Sequence, residues 1–331
     1  MNQEVAIPPV LLALMAEIGP RWATGPAATG ATRVSGNVAL MVEQFSAVLT
    51  HAPQGDLRIE RDIAYGPHAR QRLDVYAPQP DAMAQARAAA GADSTPVLIF
   101  VHGGAFTDGE KDRTEQIYSN VPRWFARQGV VAINMEYRNA PDSPYPAGSE
   151  DVGLVVAWAR AQAQAARWGA DPQRVFIMGQ SAGGAHTGSY AYDRRLQPRD
   201  AQGRPDPGIA GHIVVSGRMR ADNLAENPNA RKVEAYYGVD AARYEDVSSV
   251  NHVDANSVPT FIAVAEFENP LIDVYCAELF WRLAQAQGGV HDRRLRWLQR
   301  PGHNHTSLIA HFNTADRELG EAILAFMYQA G

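Results

Sequence analysis

A serine stands between two glycines in Gly179-Gln180-Ser181-Ala182-Gly183, directly after the apolar run Val175-Phe176-Ile177-Met178. A buried strand, a tight turn and a following helix present a serine hydroxyl where a substrate carbonyl can reach it. Glycines flank it because so sharp a turn brings side chains into collision with neighbouring backbone. Alone the string is weak, since a Gly-rich loop between strand and helix reads the same way. A nucleophilic serine also needs a base, the base needs an orienting acid, and the developing oxyanion needs donors.

The chain offers each in turn. His102-Gly103-Gly104-Ala105-Phe106 follows the apolar run Val97-Leu98-Ile99-Phe100-Val101. The backbone N–H groups of Gly103 and Gly104, with that of Ala182, suit an oxyanion hole. The competing reading is a tight turn that needs glycine, and His102 itself reads as structural. Three acids compete in Ala265-Glu266-Phe267-Glu268-Asn269-Pro270-Leu271-Ile272-Asp273. Glu266 sits at a strand end and suits a salt bridge, and Asp273 suits a helix N-cap. Glu268, just before the Asn-Pro turn, is the choice, with Asp273 in reserve. Two histidines compete in Pro301-Gly302-His303-Asn304-His305-Thr306-Ser307, and His305 is taken as the base. The remaining histidines, including His186, His212, His291 and His311, read as ordinary surface or core residues.

Leu57 to Tyr65 and Arg72 to Tyr76 alternate like an antiparallel pair. Short continuous apolar runs follow at 97–101, 130–133, 175–178, 213–215 and 261–264, which suits strands buried on both faces. Helical patterns separate them. One spans 150–168, capped by Ser149, with Leu154, Val155, Trp158 and Ala161 facing the sheet. Another spans about 273–287, with Tyr275, Leu279, Trp281 and Leu283, and the last about 315–329. The Ala-rich stretch 82–93 reads as a surface excursion and Arg21–Gly36 as a loop. The expectation is a mostly parallel, twisted central sheet with helices on both faces.

Composition excludes other classes. With 331 residues, 46% hydrophobic and 20% charged, the chain is ordinary globular material. A net charge of −6 offers no basic surplus for nucleic acid. The N-terminus is acidic and its apolar stretch is interrupted by Glu17, so neither a secretory signal nor a membrane span is expected. The single cysteine, Cys276, excludes an internal disulfide and fits a cytoplasmic location. No metal-ligand cluster and no cofactor motif is visible.

The order Ser181, Glu268, His305 and the motifs around it resemble the α/β-hydrolase superfamily, most closely carboxylesterases related to hormone-sensitive lipase and the arylformamidase group. The resemblance covers residues 55–330. It rests on His102-Gly103-Gly104, the Gly179–Gly184 elbow, and the stretch Tyr137-Arg138-Asn139-Ala140-Pro141 with Pro146-Ala147 and Glu150-Asp151. It rests also on Ala265-Glu266-Phe267-Glu268, where the family's final acid is Asp, and on Gly302-His303-Asn304-His305. The resemblance implies an α/β-hydrolase fold over residues 53–331, with residues 1–52 as a small helical cap.

The implied activity is hydrolysis of small to medium carboxylic esters through an acyl-enzyme on Ser181. The same triad suits an amide or formamide, and a ligand-binding scaffold is the rival from another class. Phe106, Gln180 and Arg218 are candidate substrate contacts. Arg218 and Arg220 follow the strand 213–215 and suit a substrate carboxylate, with solvated surface arginines as the competing reading. Leu11, Leu14 and Met15 are candidates for an acyl pocket. A homodimer is compatible with the sequence.

Overall fold

The computed structural model describes residues 4–23, 33–290 and 294–329. Eight strands form one sheet: β1 (Leu57–Ala64), β2 (Arg72–Pro78), β3 (Val97–Val101), β4 (Val131–Met135), β5 (Val175–Gln180), β6 (Gly211–Val215), β7 (Thr260–Phe267) and β8 (Leu295–Asn304). Their order across the sheet is β1-β2-β4-β3-β5-β6-β7-β8. β2 is antiparallel to β1 and to β4, and every other neighbouring pair is parallel.

β3, β4, β5 and β6 are buried along their whole length, as the continuous apolar runs require. Side chains alternate between two cores. Leu98, Phe100, Phe176, Met178, Ile213 and Val215 pack on one face, against the helices Pro9–Ile18, Arg33–Leu49, Asn120–Arg127 and Glu318–Gln329. Val97, Ile99, Val175, Ile177 and Val214 pack on the other, against Ala147–Arg160, Ala182–Tyr192 and Ile272–Ala286. The N-terminal helices therefore share a core with the sheet: Leu11, Met15 and Phe45 belong to the first cluster. Among the described residues no helix is long and apolar enough to cross a membrane.

Several local expectations change. The Ala-rich stretch is a helix, Pro80–Ala90, begun by proline in its first turn and ended by Gly91 at φ 61°. Alanine's helix propensity outweighs the lack of an apolar stripe, and Met83 anchors it. The long helix divides at Ala161, whose ψ of 126° is extended, into Ala147–Arg160 and Gln162–Trp168. It starts at Ala147, after Pro146, so Ser149 is a buried first-turn residue and makes no cap. Val152, Val155, Val156 and Ala159 form its buried stripe, and Leu154 falls outside it and is exposed. Trp281 is likewise exposed, because the stripe of its helix runs through Tyr275, Cys276, Leu279 and Leu283. Leu271, at φ 69°, occupies the N-cap position expected of Asp273. Residues 33–36 are helical rather than loop. The rest of that expected loop, from 24 to 32, and His291 lie outside the described residues.

The register sets up the site. Gly179 of β5 pairs with Val101 of β3, and Gln180 with Val215 of β6. Phe267 of β7 pairs with Asn304 of β8. His102, Ser181, Ser216, Glu268 and His305 thus all follow strand ends on the carboxyl edge of the sheet, where open α/β sheets bind ligands.

Candidate active site

Ser181 links β5 to the helix Ala182–Tyr192 with φ 55° and ψ −119°. A residue with a Cβ is rarely found there, at a cost of order 1–3 kcal/mol. Hydrogen bonds hold the turn: Ser181 N–H points to the carbonyls of Val215 (3.3 Å) and Ser216 (3.2 Å), and its own carbonyl accepts from Gly184 and Arg218, both at 3.0 Å. The flanking glycines are needed for space. A Cβ on Gly183 would strike the carbonyls of Val101 and His102, and one on Gly179 would strike Thr187 Oγ1 and the Gly183 carbonyl.

His305 follows β8 and donates its backbone N–H to the Phe267 carbonyl at 3.0 Å. That bond brings the two loops together. His305 Nδ1 lies 2.6 Å from Glu268 Oε2, and both side chains are buried. Glu268 Oε1 accepts from Ala265 N–H at 2.8 Å and from the Ser216 hydroxyl. With Nδ1–H donated to the carboxylate, His305 Nε2 is left as an acceptor. It lies 3.4 Å from Gln180 Nε2.

Of the three competing acids, Glu268 is the one against a candidate base. Asp273 is exposed and accepts from the neighbouring Val274 N–H at 3.0 Å, and Glu266 accepts from Gly302 N–H at 2.7 Å. His303 is engaged elsewhere, with Nε2 2.9 Å from Asp316 Oδ2 and Nδ1 3.2 Å from Ser307 Oγ. Asp316 in turn holds Arg300 at 2.9 Å. Burial alone would raise the Asp316 carboxyl, but the His303 hydrogen bond and the charges of His311, His303 and Arg300 hold it well below the usual range.

Ser181, Gln180 and His305 line one cavity of about 290 Å³ with Gly104, Ala105 and Tyr118. Gly103 stands behind this wall, against Gln180 and Ser181, and its amide faces the Tyr118 hydroxyl. Gly104 and Ala105 are therefore the loop residues that face the cavity. Ala182 opens the helix, where the first N–H groups have no intrahelical acceptor and the dipole favours negative charge.

The loop is braced from below. His102 Nδ1 donates to the Gly103 carbonyl at 2.7 Å, and Nε2 lies 2.9 Å from Glu136 Oε1. Burial would raise Glu136, yet its bonds to His102, its attraction to Arg70 and the Lys111 N–H hold it below the ordinary range. Tyr137 donates its hydroxyl to the His102 carbonyl at 3.0 Å and stacks on its ring at 4.4 Å. Arg138 pairs with Asp151 at 2.9 Å, so the Tyr137-to-Asp151 stretch supports this loop.

Two expected substrate contacts lie elsewhere. Phe106 is buried among Tyr236, Tyr237 and His186, stacking on Tyr236 at 4.8 Å, and forms no part of the cavity wall. Arg218 is neither on the surface nor in the cavity: it is 5% exposed and paired with Asp222 at 2.7 Å. Arg220 pairs with Glu278 and Glu245, at 2.5 and 2.8 Å. Leu11 and Met15 pack in the core, and Val34, Val38 and Val42 of Arg33–Leu49 form the apolar wall instead. Sequence reasoning also passed over Ser216. Its only signal was its place directly after β6, one strand over from Ser181. Cys276 is buried, its thiol pushed up by burial and the nearby Glu268 charge. Among the described residues no group of three His, Cys, Asp or Glu could hold a metal.

This geometry agrees with likenesses to known proteins. The esterase B structure from Lactobacillus rhamnosis superposes with a TM-score of 0.67, covering 90% of this chain and 94% of that one at 17% identity. The chain has the α/β-hydrolase fold. A BD-FAE family profile matches residues 83–197 of this chain. Esterase LipC of Mycobacterium tuberculosis is 29% identical over 256 residues, 74% of this chain and 59% of LipC. Probable carboxylesterase 4, mitochondrial, of Arabidopsis thaliana is 26% identical over 248 residues, 70% of this chain and 62% of that protein. The chain thus spans about three-fifths of the length of these relatives.

Proposed function

We propose that this α/β-hydrolase is a serine carboxylesterase acting through Ser181, His305 and Glu268. The observation that carries the reading is Ser181, held at φ 55° at the mouth of a helix, in one cavity with His305, whose Nδ1 is bound by Glu268. The relatives named esterase and carboxylesterase support the same reaction class.

In this mechanism His305 Nε2 takes the Ser181 proton as Oγ attacks the ester carbonyl. The N–H groups of Gly104, Ala105 and Ala182 receive the oxyanion. The tetrahedral species collapses, His305 protonates the leaving alcohol, and the acyl group stays on Oγ. Water then repeats the sequence and releases the acid. Glu268 fixes the imidazole tautomer and stabilises its cation. The apolar wall of Val34, Val38 and Val42 receives hydrocarbon, so residues before β1 act as a cap over the cavity. A volume of about 290 Å³ suits small to medium esters.

The test is hydrolysis of 4-nitrophenyl esters from acetate to decanoate by wild type and Ser181→Ala. Turnover that peaks at short or medium chains and falls by about 10⁴-fold or more in the variant is expected. Equal rates from both proteins would end the mechanism.

A further inference from the structure

Among the described residues two cations line the cavity, Arg113 and Lys232. Lys232 is occupied: it forms an ion pair with Asp108, which lines the cavity with it. Arg113 stands in the acidic stretch Glu110-Lys111-Asp112-Arg113-Thr114-Glu115. Asp112 nonetheless pairs with Lys111 at 2.7 Å and with Arg61 at 3.5 Å. Arg113 faces the Tyr118 hydroxyl and is attracted to Asp108 as well.

Tyr118 is a neutral partner, because burial pushes its phenol up. It is set firmly in place. Its ring stacks on His102 at 5.6 Å, and its φ of 76° is uncommon for so bulky a residue. Asp108 also feels the charge of Arg113, so among the described residues two cations face one carboxylate and the cavity keeps one net positive charge, with a guanidinium and a phenol as donors. The same cavity is lined by Val34, Val38 and Val42, which offer hydrocarbon. A ligand complementary to both has an apolar part and an anion. A carboxylate matches the planar guanidinium fork in shape and charge.

We infer that the substrates of this cavity are esters bearing a carboxylate, received by Arg113 beside Tyr118. The inference rests on the esterase reading and narrows it. It also moves anion recognition from the buried Arg218 to a residue that the cavity exposes.

Two matched pairs of esters test it. Mono(4-nitrophenyl) suberate against 4-nitrophenyl octanoate places the carboxylate on the acyl side. 4-Acetoxybenzoate against 4-acetoxybenzamide places it on the leaving group. In at least one pair the ratio of kcat/KM, anionic over neutral, is expected to fall about fivefold in Arg113→Met, through KM, and to return in part in Arg113→Lys. Added salt should compress the wild-type ratio and leave that of Arg113→Met unmoved. Ratios that are the same in wild type and Arg113→Met for both pairs would overturn the inference while the esterase reading stands. If no ester is turned over, the esterase reading falls, and calorimetry with 4-(butyrylamino)benzoate decides the subsite. Binding weakened about fivefold in Arg113→Met supports it, and equal or absent binding to wild type refutes it.

Discussion

His305 Nδ1 and Glu268 Oε2 are 2.6 Å apart, on loops joined where β7 pairs with β8 and His305 N–H binds the Phe267 carbonyl at 3.0 Å. A carboxylate so placed selects the tautomer with a basic Nε2 and stabilises the imidazolium that follows. Glu268→Gln keeps the shape and removes the charge. Its kcat for 4-nitrophenyl butyrate should fall by about 10³- to 10⁴-fold with little change in KM. Asp273→Asn, at an exposed position, should leave turnover at the wild-type value. The reverse pattern would move the acid to Asp273.

Ser216 donates its hydroxyl to the other oxygen of Glu268. Hydrogen bonds to a charged group contribute about 1.5–3 kcal/mol. Ser216→Ala leaves Glu268 Oε1 with the Ala265 N–H. The carboxylate should then lose orientation, and kcat should drop roughly tenfold while the unfolding free energy from urea denaturation falls by an amount in that range. Steady-state kinetics and urea unfolding read the two effects separately. Unchanged kcat would make Ser216 a packing residue only.

Arg218 and Asp222 form a buried pair, 5% and 7% exposed. Burial lowers the Arg218 guanidinium in spite of Asp222, so the pair stands on mutual compensation. Arg218→Met leaves Asp222 buried and uncompensated, which costs about 3–5 kcal/mol. The double variant Arg218→Met/Asp222→Leu should be more stable than the single one. Urea denaturation of the three proteins measures the difference, and a single variant as stable as wild type would contradict the burial argument.

Three buried histidines make acid stability a matter of neutral imidazoles. Burial pushes His186, His212 and His311 down to about 3. The unfolded chain binds their protons near pH 6.5 and the folded chain does not, so it is the unfolded state that gains protons as pH falls. Stability from these groups is complete above about pH 6.5 and is lost as pH falls towards the folded values, by up to about 1.4 kcal/mol per pH unit per group. His186→Phe should flatten the slope of unfolding free energy between about pH 6.5 and 5 by one proton's worth. An identical slope would mean that His186 is protonated in the fold.

Much of the fold was legible because its signals are local. A strand covered on both faces must be a continuous apolar run, so β3, β4, β5 and β6 announce themselves. The elbow and the His102-Gly103-Gly104 turn were legible too, since steric crowding admits only glycine at Gly179 and Gly183. Chain order separated Ser181, an acid after β7 and a histidine after β8. Tertiary structure decided what periodicity cannot contain. It set Glu268 rather than Asp273 against His305, brought Ser216 to the carboxylate, and drew Arg218 into the core. It also placed Val34 and Arg113 on one cavity with Ser181. Each of these joins residues far apart in the chain through the order and register of the sheet. A side chain's partners there depend on which strand ends lie next to one another, a property of the assembled sheet and not of any segment within it.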